Sequence, residues 1–522
     1  MSPQSESIEA DSSIEAGRLE RLLRRVDGTT SLYDASVRAA DDAVVALTRV
    51  SGTKHLAVLA ESPPAFEATS SIDDGDSTLY LCPCSPENAR RLRAEFPWTA
   101  PTPLGRTTAI GCGDRLGCAT PGHIRACRAT GVTPVLAQQS IREMERTGRS
   151  PQQVLDDVTW AVFQEGYTDG YGADADHLKT EADIDACVAA GYTMYTIDPS
   201  DHVQNDADHL DGDALTDRFR ALPWDALDTT PSACLDRYTG APIAVGGDGD
   251  LEVEFSPTLL KRAAVKYGAA LAHTNHLAEY LSDVYRTDRS EEDYDLEMSV
   301  DETDTPTHPR EHYFVATELN RLGVEVTSLA PRFVGDFEKG IDYVGDLDAF
   351  EEAFRAHATI ARAQGGYKLS IHSGSDKFSV YPILGEHAGS HLHLKTAGTS
   401  FLEALRIPAR HAPDFFREMV TFAFERFEDD RKTYHVTTTL DAIPAPADVP
   451  DPALENTYLE DNNGRQLLHI TYGSLLSGTG EAPSPFRERF FALLDEHEEE
   501  HYEALRSHFL AHIETVGDMT VH

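Results

Sequence analysis

From about residue 105 onward the chain repeats one texture: a short β-prone run ends in polar or ionisable residues and a helical stretch follows. The runs are "TTAIGCGD", "TPVLAQQS", "GYGADADHLK", "YTMYTIDP", "DLEMSVDE", "VEVTSLAP", "YKLSIHSG", "HLHLKTAG", "YHVTTTL" and "LLHITYGS". Strand, helix, strand in succession predicts a parallel sheet wrapped by helices, because parallel neighbours need a crossover between them. Ten candidates are many for one open sheet and close to the eight of a closed barrel, so the expected fold is α/β, a (β/α)8 TIM-like barrel. In that architecture chemistry collects at the C-terminal ends of the strands. Here those ends carry Asp, His, Glu, Lys and Ser repeatedly.

Residues 1–104 read differently, as an N-terminal α/β extension: an acidic lead frays into a short helix up to about residue 25, "KHLAVLAE" and "TLYLCPCS" are strands, and "ENARRLRAEF" is a helix. Residues 105–522 then form the catalytic barrel, with a large inter-strand insertion at about 200–293 that contains the helical "LLKRAAVKYGAALAHTNHLAEYLSDVYR". Its acidic runs lack the EF-hand spacing and read as solvated loops. The seven cysteines show no paired C-x-x-C spacing, which argues against a cysteine metal site or a disulfide frame. No run of about 18 apolar residues predicts a membrane span, and the polar, acidic first residues do not resemble a signal peptide. A cytoplasmic location is expected.

Charge narrows the partners. The chain has 88 acidic against 45 basic residues and a formal net charge of -43. Such self-repulsion destabilises a compact state unless counterions screen it, so the expected setting is a halophilic cytosol. Nine of the basic residues are lysine, at 54, 179, 261, 266, 339, 368, 377, 395 and 432, and the other 36 are arginine. Lysines that survive such a bias are expected to have specific tasks. No basic patch is present to neutralise phosphates, which excludes nucleic acid and anionic membranes as partners.

Four segments are dense in functional groups. In "YGADADHLKT", Asp174 and Asp176 share a strand face, while His177 joins them only if the chain turns there. Lys179 follows. The bland account is an acidic surface loop. In "EMSVDET", Glu297 falls inside a β-prone run, where a carboxylate is costly unless paired, metal-bound or catalytic. In "YKLSIHSGSDKFSVYP", His372 and Ser373 end an apolar alternation, and Lys368 and Lys377 on either side point to an anionic substrate. In "HLHLKTAGTSFLEALR", His391, His393 and Lys395 face one way, and the helix that follows offers free N–H groups to an anion. Imidazoles and carboxylates on separate barrel strands can converge on one divalent metal such as Mn, Ni, Zn or Fe.

The formal H-E-x-x-H match at His497–His501 weighs less, because three consecutive glutamates arise easily where one residue in six is acidic. Leu494, Leu505 and Phe509 give that segment the apolar stripe of a surface helix, not the setting of a zinc hydrolase.

The segments "GADADHLKT", "MSVDET", "SLAPRFVGDFEKGIDYVGD", "KLSIHSGSDKFSVYP" and "HLKTAGTSFLEALR" resemble the tagaturonate epimerase family. The likeness runs from about residue 105 onward and is weaker in the N-terminal part and around 200–215. It implies a divalent-metal-dependent hexuronate epimerase that interconverts D-tagaturonate and D-fructuronate in hexuronate catabolism. These ketohexuronates differ at a carbon one bond too far from the ketone for enolisation to invert it. A carbon–carbon bond must break, or a hydride must leave. No G-x-G-x-x-G fingerprint opens a βαβ unit, so retro-aldol cleavage and re-addition is the expected route.

The resemblance does not fix the residues, but this route needs a proton acceptor on one face and a donor on the other, and Asp176 and Glu297 on different strands are expected as acceptor and donor, with roles that exchange. His177, His372 and His393 are the expected metal ligands. Lys179, Arg332, Ser373, Lys377 and Lys395 would hold the substrate carboxylate or hydroxyls. The alternatives are a metal-dependent ketose/aldose isomerase of the same fold and a non-catalytic carbohydrate-binding protein; three tryptophans in 522 residues speak against the latter.

Overall fold

The computed structural model describes residues 16–26, 28–40, 43–247, 251–289, 293–396, 398–478 and 483–517. Most of the expected acidic lead lies outside them. The extension is an antiparallel sheet of β1 (Thr30–Leu32), β2 (Arg38–Ala40), β3 (Ala43–Val50), β4 (Thr53–Ala60), β5 (Ser70–Asp73) and β6 (Thr78–Pro83). Its order is β1-β3-β4-β6-β5, with β2 also paired to β3. Ser51 and Gly52 join β3 to β4 with φ of 49° and 85°, the two left-handed residues that a tight hairpin turn requires.

Alternation along these strands gives the sheet two apolar faces. Val45, Leu47, Leu56 and Val58 pack with Trp160 and Phe163 of the helix Pro151–Glu165. Ala46, Ala57 and Leu59 pack the other way, with Leu19, Leu22 and Leu23. The extension is thereby fastened to the outside of the barrel.

The barrel strands are β7 (Ala109–Gly111), β8 (Thr133–Ser140), β9 (Gly172–Leu178) and β10 (Met194–Ile197). The insertion follows, with the short hairpin β11 (Ile243–Val245) and β12 (Leu251–Val253) and the helix Pro257–Arg289. Then come β13 (Asp295–Val300), β14 (Ser328–Pro331), β15 (Lys368–His372) and β16 (Leu392–Lys395). These eight strands close in the order β10-β13-β14-β15-β16-β7-β8-β9 and pair in parallel throughout. The expected barrel, extension and insertion are all present.

Period-2 alternation sorts the strand residues. Ile110, Leu136, Ala173, Ala175, Tyr195, Met298, Leu329, Ile371, Leu392 and Leu394 belong to the apolar core shared with the surrounding helices. The opposite set, Asp174, Asp176, Thr196, Glu297, Ser328, Ser370, His393 and Lys395, is buried inside the barrel. Barrel interiors of this kind are ordinarily filled by branched aliphatic side chains. This one is polar and ionic.

Two of the ten expected strands are not strands. "YHVTTTL" is irregular chain after a short turn at Arg431–Thr433, and "LLHITYGS" is helical, within Asn462–Ile470 and Tyr472–Ser477. A short apolar run cannot by itself tell a buried helix from a strand. Here the Asp461 carboxylate accepts from the Asn463 N–H and starts the helix. Leu467, Leu468, Ile470, Leu475 and Leu476 then fill a separate helical core with Phe401, Phe416 and Phe490.

The last helix, Glu498–Val516, returns to the barrel and buries Tyr502, Leu505, Phe509 and Ile513. It crosses the helix Thr120–Thr130 at Gly122, where an added Cβ would lie 2.6 Å from Leu505 Cβ and 2.9 Å from the Tyr502 carbonyl oxygen. We therefore expect Gly122→Ala to destabilise the protein by about 1–3 kcal/mol through overpacking, read as a lower apparent melting temperature with unchanged circular dichroism at room temperature. An unchanged melting curve would show that the last helix is not seated there.

Candidate active site

The centre of the barrel is one ammonium group. Lys395 Nζ lies 2.8 Å from Asp174 Oδ2, 2.8 Å from Asp176 Oδ1 and 2.9 Å from Glu297 Oε1. It also donates to Thr196 Oγ1 at 2.8 Å. Burial works against its charge, but the three carboxylates hold its pKa well above the ordinary lysine value. The carboxylates respond in turn. Burial would raise Asp176 and Glu297, yet Lys395 and the nearby histidines hold both below the usual carboxylate range, so both are ionised. Asp174 is deeper, and burial raises it to about 6 despite Lys395.

Asp176 and His177 reach the site together because the strand is irregular. Ala175 pairs with Tyr195 and Leu178 with Ile197, so two residues of β9 face the single Thr196 of β10. This is a β-bulge, and His177 sits in it at φ 57°. Without the extra residue, alternation would send His177 outward. Its Nδ1 lies 3.1 Å from Asp198 Oδ2 and its Nε2 3.9 Å from Asp176 Oδ1. Burial opposes its charge, but Asp176, Asp198 and Asp301 outweigh burial and raise the imidazole to about 10.

His372, at the end of β15, is gripped from both sides: Nε2 is 2.7 Å from Glu297 Oε1 and Nδ1 is 3.2 Å from Asp301 Oδ2. Burial and Lys395 lower its pKa, but the two carboxylates prevail and bring it to about 9. The His177 and His372 rings stand edge to face with centroids 5.1 Å apart. Ligand atoms of Asp176, His177 and His372 all lie within 4.8 Å of one another, the spacing of a metal-binding set. Asp198, engaging His177 Nδ1, is the outer partner such a ligand uses to fix its tautomer.

A pocket adjoins this cluster, lined by Gln138, Asp176, His177, Asp301, His372 and Lys395 and also by Arg115, Arg142, Glu143, Glu302, Lys339 and Tyr434. Gln138 donates to Asp176 Oδ2 at 3.0 Å and orients that carboxylate. Gly374, at φ 61°, makes room for Lys339, because a Cβ there would come within 2.5 Å of the ammonium. Burial pushes the Lys339 pKa down, against the pull of Glu302.

The structure brings together Asp176, His177, Glu297, His372 and Lys395 and sends the other expected site residues elsewhere. His393 lies two residues below Lys395 on β16, fully buried, with Nδ1 3.9 Å from Glu297 Oε2 and no hydrogen bond to either ring nitrogen among the described residues. It is not within the three-residue ligand set, and burial with Lys368 nearby pushes its pKa well below the ordinary value. Lys179 Nζ donates to Ser200 Oγ at 3.0 Å and meets Asp201 at 3.1 Å, beside the pocket and not in its wall. Arg332 is half-buried outside the pocket lining, and its backbone N–H donates to Thr307 Oγ1.

Ser373 donates to the Lys395 carbonyl at 2.6 Å. Lys377 is buried, with its ammonium donating to the carbonyls of Glu338 and Ile341 and to Ser375 Oγ. Both therefore fasten the scaffold, and neither lines the pocket. Asp198, Asp301 and Gln138 were within reach of sequence reasoning, since each sits at the end of a recognised run. Arg115, Arg142 and Tyr434 carried no such signal, and Lys339 only its scarcity. His497 and His501 of the formal zinc motif diverge. His497 stacks on His411 with centroids 3.7 Å apart, while His501 lies on the last helix itself and is buried.

Comparison with known proteins adds the following. The tagaturonate epimerase family model matches residues 33–516. A tagaturonate/fructuronate epimerase of Thermotoga maritima is 42% identical over 485 residues, covering 92% of this chain and 96% of the relative. The native crystal structure of the fructuronate-tagaturonate epimerase of Cohnella laeviribosi superposes with a TM-score of 0.86 at 40% identity, covering 96% of this chain and 99% of that one. Its one-glycerol complex gives the same TM-score at 39% identity.

The ion network makes Lys395 a stability determinant as well as a site residue. Lys395→Met leaves three carboxylates converging without a cation, and we expect it to destabilise the fold by about 3–5 kcal/mol, measured by chemical denaturation against the wild type. Wild-type stability in that variant would mean the network is solvated and contributes nothing.

Proposed function

The chain belongs to the tagaturonate epimerase family and is an isomerase-type enzyme, and we propose that it interconverts D-tagaturonate and D-fructuronate by metal-dependent retro-aldol and aldol chemistry. The observation that carries this reading is the pairing of Asp176 and Glu297 on different strands of one closed barrel, both ionised and both on the Lys395 ammonium. Inversion through a broken carbon–carbon bond needs a proton acceptor and a proton donor on different sides of the substrate, and this pair supplies both.

In the forward direction Asp176 takes the proton of the substrate hydroxyl at the carbon to be inverted. The bond to the neighbouring carbon breaks, its electrons pass to the carbonyl side as an enediolate, and the hydroxyl carbon becomes an aldehyde. The aldehyde turns its other face and the bond re-forms, leaving an alkoxide that Glu297 protonates. Glu297 is ionised at rest, so it relays to the strongly basic alkoxide, in one concerted step, a proton of Lys395, which touches both carboxylates at 2.8 and 2.9 Å and is restored by the proton Asp176 took. Reversal exchanges the two roles.

Asp176, His177 and His372 are the residues that would hold the metal, and two imidazoles with one carboxylate suit Mn, Ni, Zn or Fe. When bound, such an ion supplies Lewis acidity toward the negative charge that develops on the substrate oxygens. The orientation of His177 by Asp198 supports the fit. We assign the substrate carboxylate to the cations of the pocket wall, and to Lys339 in particular. Burial disfavours its charge, so an anionic ligand there recovers what the site otherwise loses. The net charge of -43 further supports a salt-rich setting.

The test is epimerisation of tagaturonate in high salt by metal-stripped protein, with Mn, Ni, Zn, Mg or Fe restored singly and fructuronate followed by chromatography. We expect product only with metal, a loss of about 10²–10⁴-fold in kcat for Asp176→Asn and for Glu297→Gln, and retained activity in His497→Ala. Absence of fructuronate with every metal, from folded protein, would overturn the assignment. Lys339→Met should raise KM about tenfold or more while leaving kcat within a few-fold, the pattern of a lost binding contact.

A further inference from the structure

His508 and His512 stand one helical turn apart on the last helix and turn their Nε2 atoms to a single oxygen, Asp376 Oδ1, at 3.0 and 3.1 Å. Asp376 belongs to the loop after β15, four residues beyond His372. The three ligand atoms lie within 4.8 Å of one another. In a tetrahedral sphere with metal–ligand distances of about 2.0–2.1 Å, neighbouring ligand atoms stand about 3.3 Å apart. The two observed separations are close to that.

The outer partners sharpen the case. His512 Nδ1 lies 3.0 Å from the His508 carbonyl, to which it donates. A neutral ring then carries a lone pair on Nε2, aimed at a carboxylate oxygen. His512 is fully buried, and its Nε2 has no hydrogen bond of good geometry among the described residues. Two lone pairs facing each other in such a place need either a proton or a metal cation between them. His508 Nδ1 has a carboxylate behind it, Glu403 Oε1, at 3.5 Å. Arg465 donates to the other oxygen of Asp376 at 2.5 Å and leaves Oδ1 as the single inward acceptor. A carbonyl or carboxylate behind each ring is the support that metal-binding histidines use. His508 and Glu403 also line a surface pocket, so one ring of the cluster borders solvent.

We propose that Asp376, His508 and His512 form a second divalent-metal site, for zinc, nickel or cobalt, distinct from the barrel pocket. The site clamps the C-terminal helix to the loop that leaves His372. It does not depend on the epimerase reading.

The experiment loads metal-stripped protein with zinc, removes the excess by gel filtration and measures retained zinc by mass spectrometry, alongside melting curves with zinc and with EDTA. His177→Ala/His372→Ala protein keeps the cluster intact and should retain about one equivalent per chain, with a higher melting temperature in zinc than in EDTA. Adding His512→Gln to that protein should abolish both the retained zinc and the shift. If the doubly substituted protein retains no zinc, or if His512→Gln leaves its content unchanged, the site is overturned and the three residues are an ion pair bridged by protons. Should the triple variant fail to fold, His508→Gln in the doubly substituted protein replaces it and is read in the same way.

Discussion

Four strands of this barrel are tied across its axis by one ammonium ion. Lys395 on β16 meets Asp174 and Asp176 from β9, Glu297 from β13 and Thr196 from β10. Taking those charges out of water is expensive, and only a geometry in which each is paired and hydrogen-bonded recovers the loss. Removing one member therefore exposes the rest, which gives the interior a single cooperative arrangement. Because the same pairing keeps Asp176 and Glu297 ionised, the element that holds the barrel's centre also sets the protonation state from which the proposed chemistry would start.

The bulge in β9 is the complementary device. A regular strand presents every second residue, so Asp174 and Asp176 would face inward and His177 outward. One extra residue opposite Thr196, taken up by a left-handed His177, places an acid and an imidazole side by side. A non-glycine residue in that conformation is strained by about 1–3 kcal/mol and persists only where its surroundings enforce it. The Asp198 contact to Nδ1 and the closed barrel on both sides provide that enforcement.

Much of this was legible from residue order alone, for a definite reason. Strand periodicity fixes which residues share a face, and a parallel barrel puts strand ends at one rim, so Asp176, Glu297, His372 and Lys395 could be assembled without coordinates. Sequence could not say what the loops and the helical C-terminal region bring to that rim. Scarcity marked both Lys377 and Lys339 as unusual, but only the fold shows that Lys377 is spent on the carbonyls of Glu338 and Ile341 while Lys339 lines the pocket. The same limit misdirected the zinc motif. His497 and His501 have the right spacing and point to different surroundings, whereas His508 and His512, equally spaced and seven residues or more further on, share one oxygen. Spacing defines a helix face; what that face meets is a tertiary fact.

A chain of net charge -43 that binds an anion faces long-range repulsion, and the distribution of its cations answers it. Arg115, Arg142, Lys339 and Lys395 gather around one pocket and meet Glu143, Asp176, Asp301 and Glu302 there, so the acidic excess of the surface is balanced at the proposed site. Screening acts unequally on the two effects. At about 1 M salt the Debye length is only about 3 Å, which removes the repulsion of the distant acidic surface but leaves contacts inside the pocket largely intact. Salt therefore assists substrate capture in such a protein instead of opposing it, reversing the usual dependence of an ion-steered encounter.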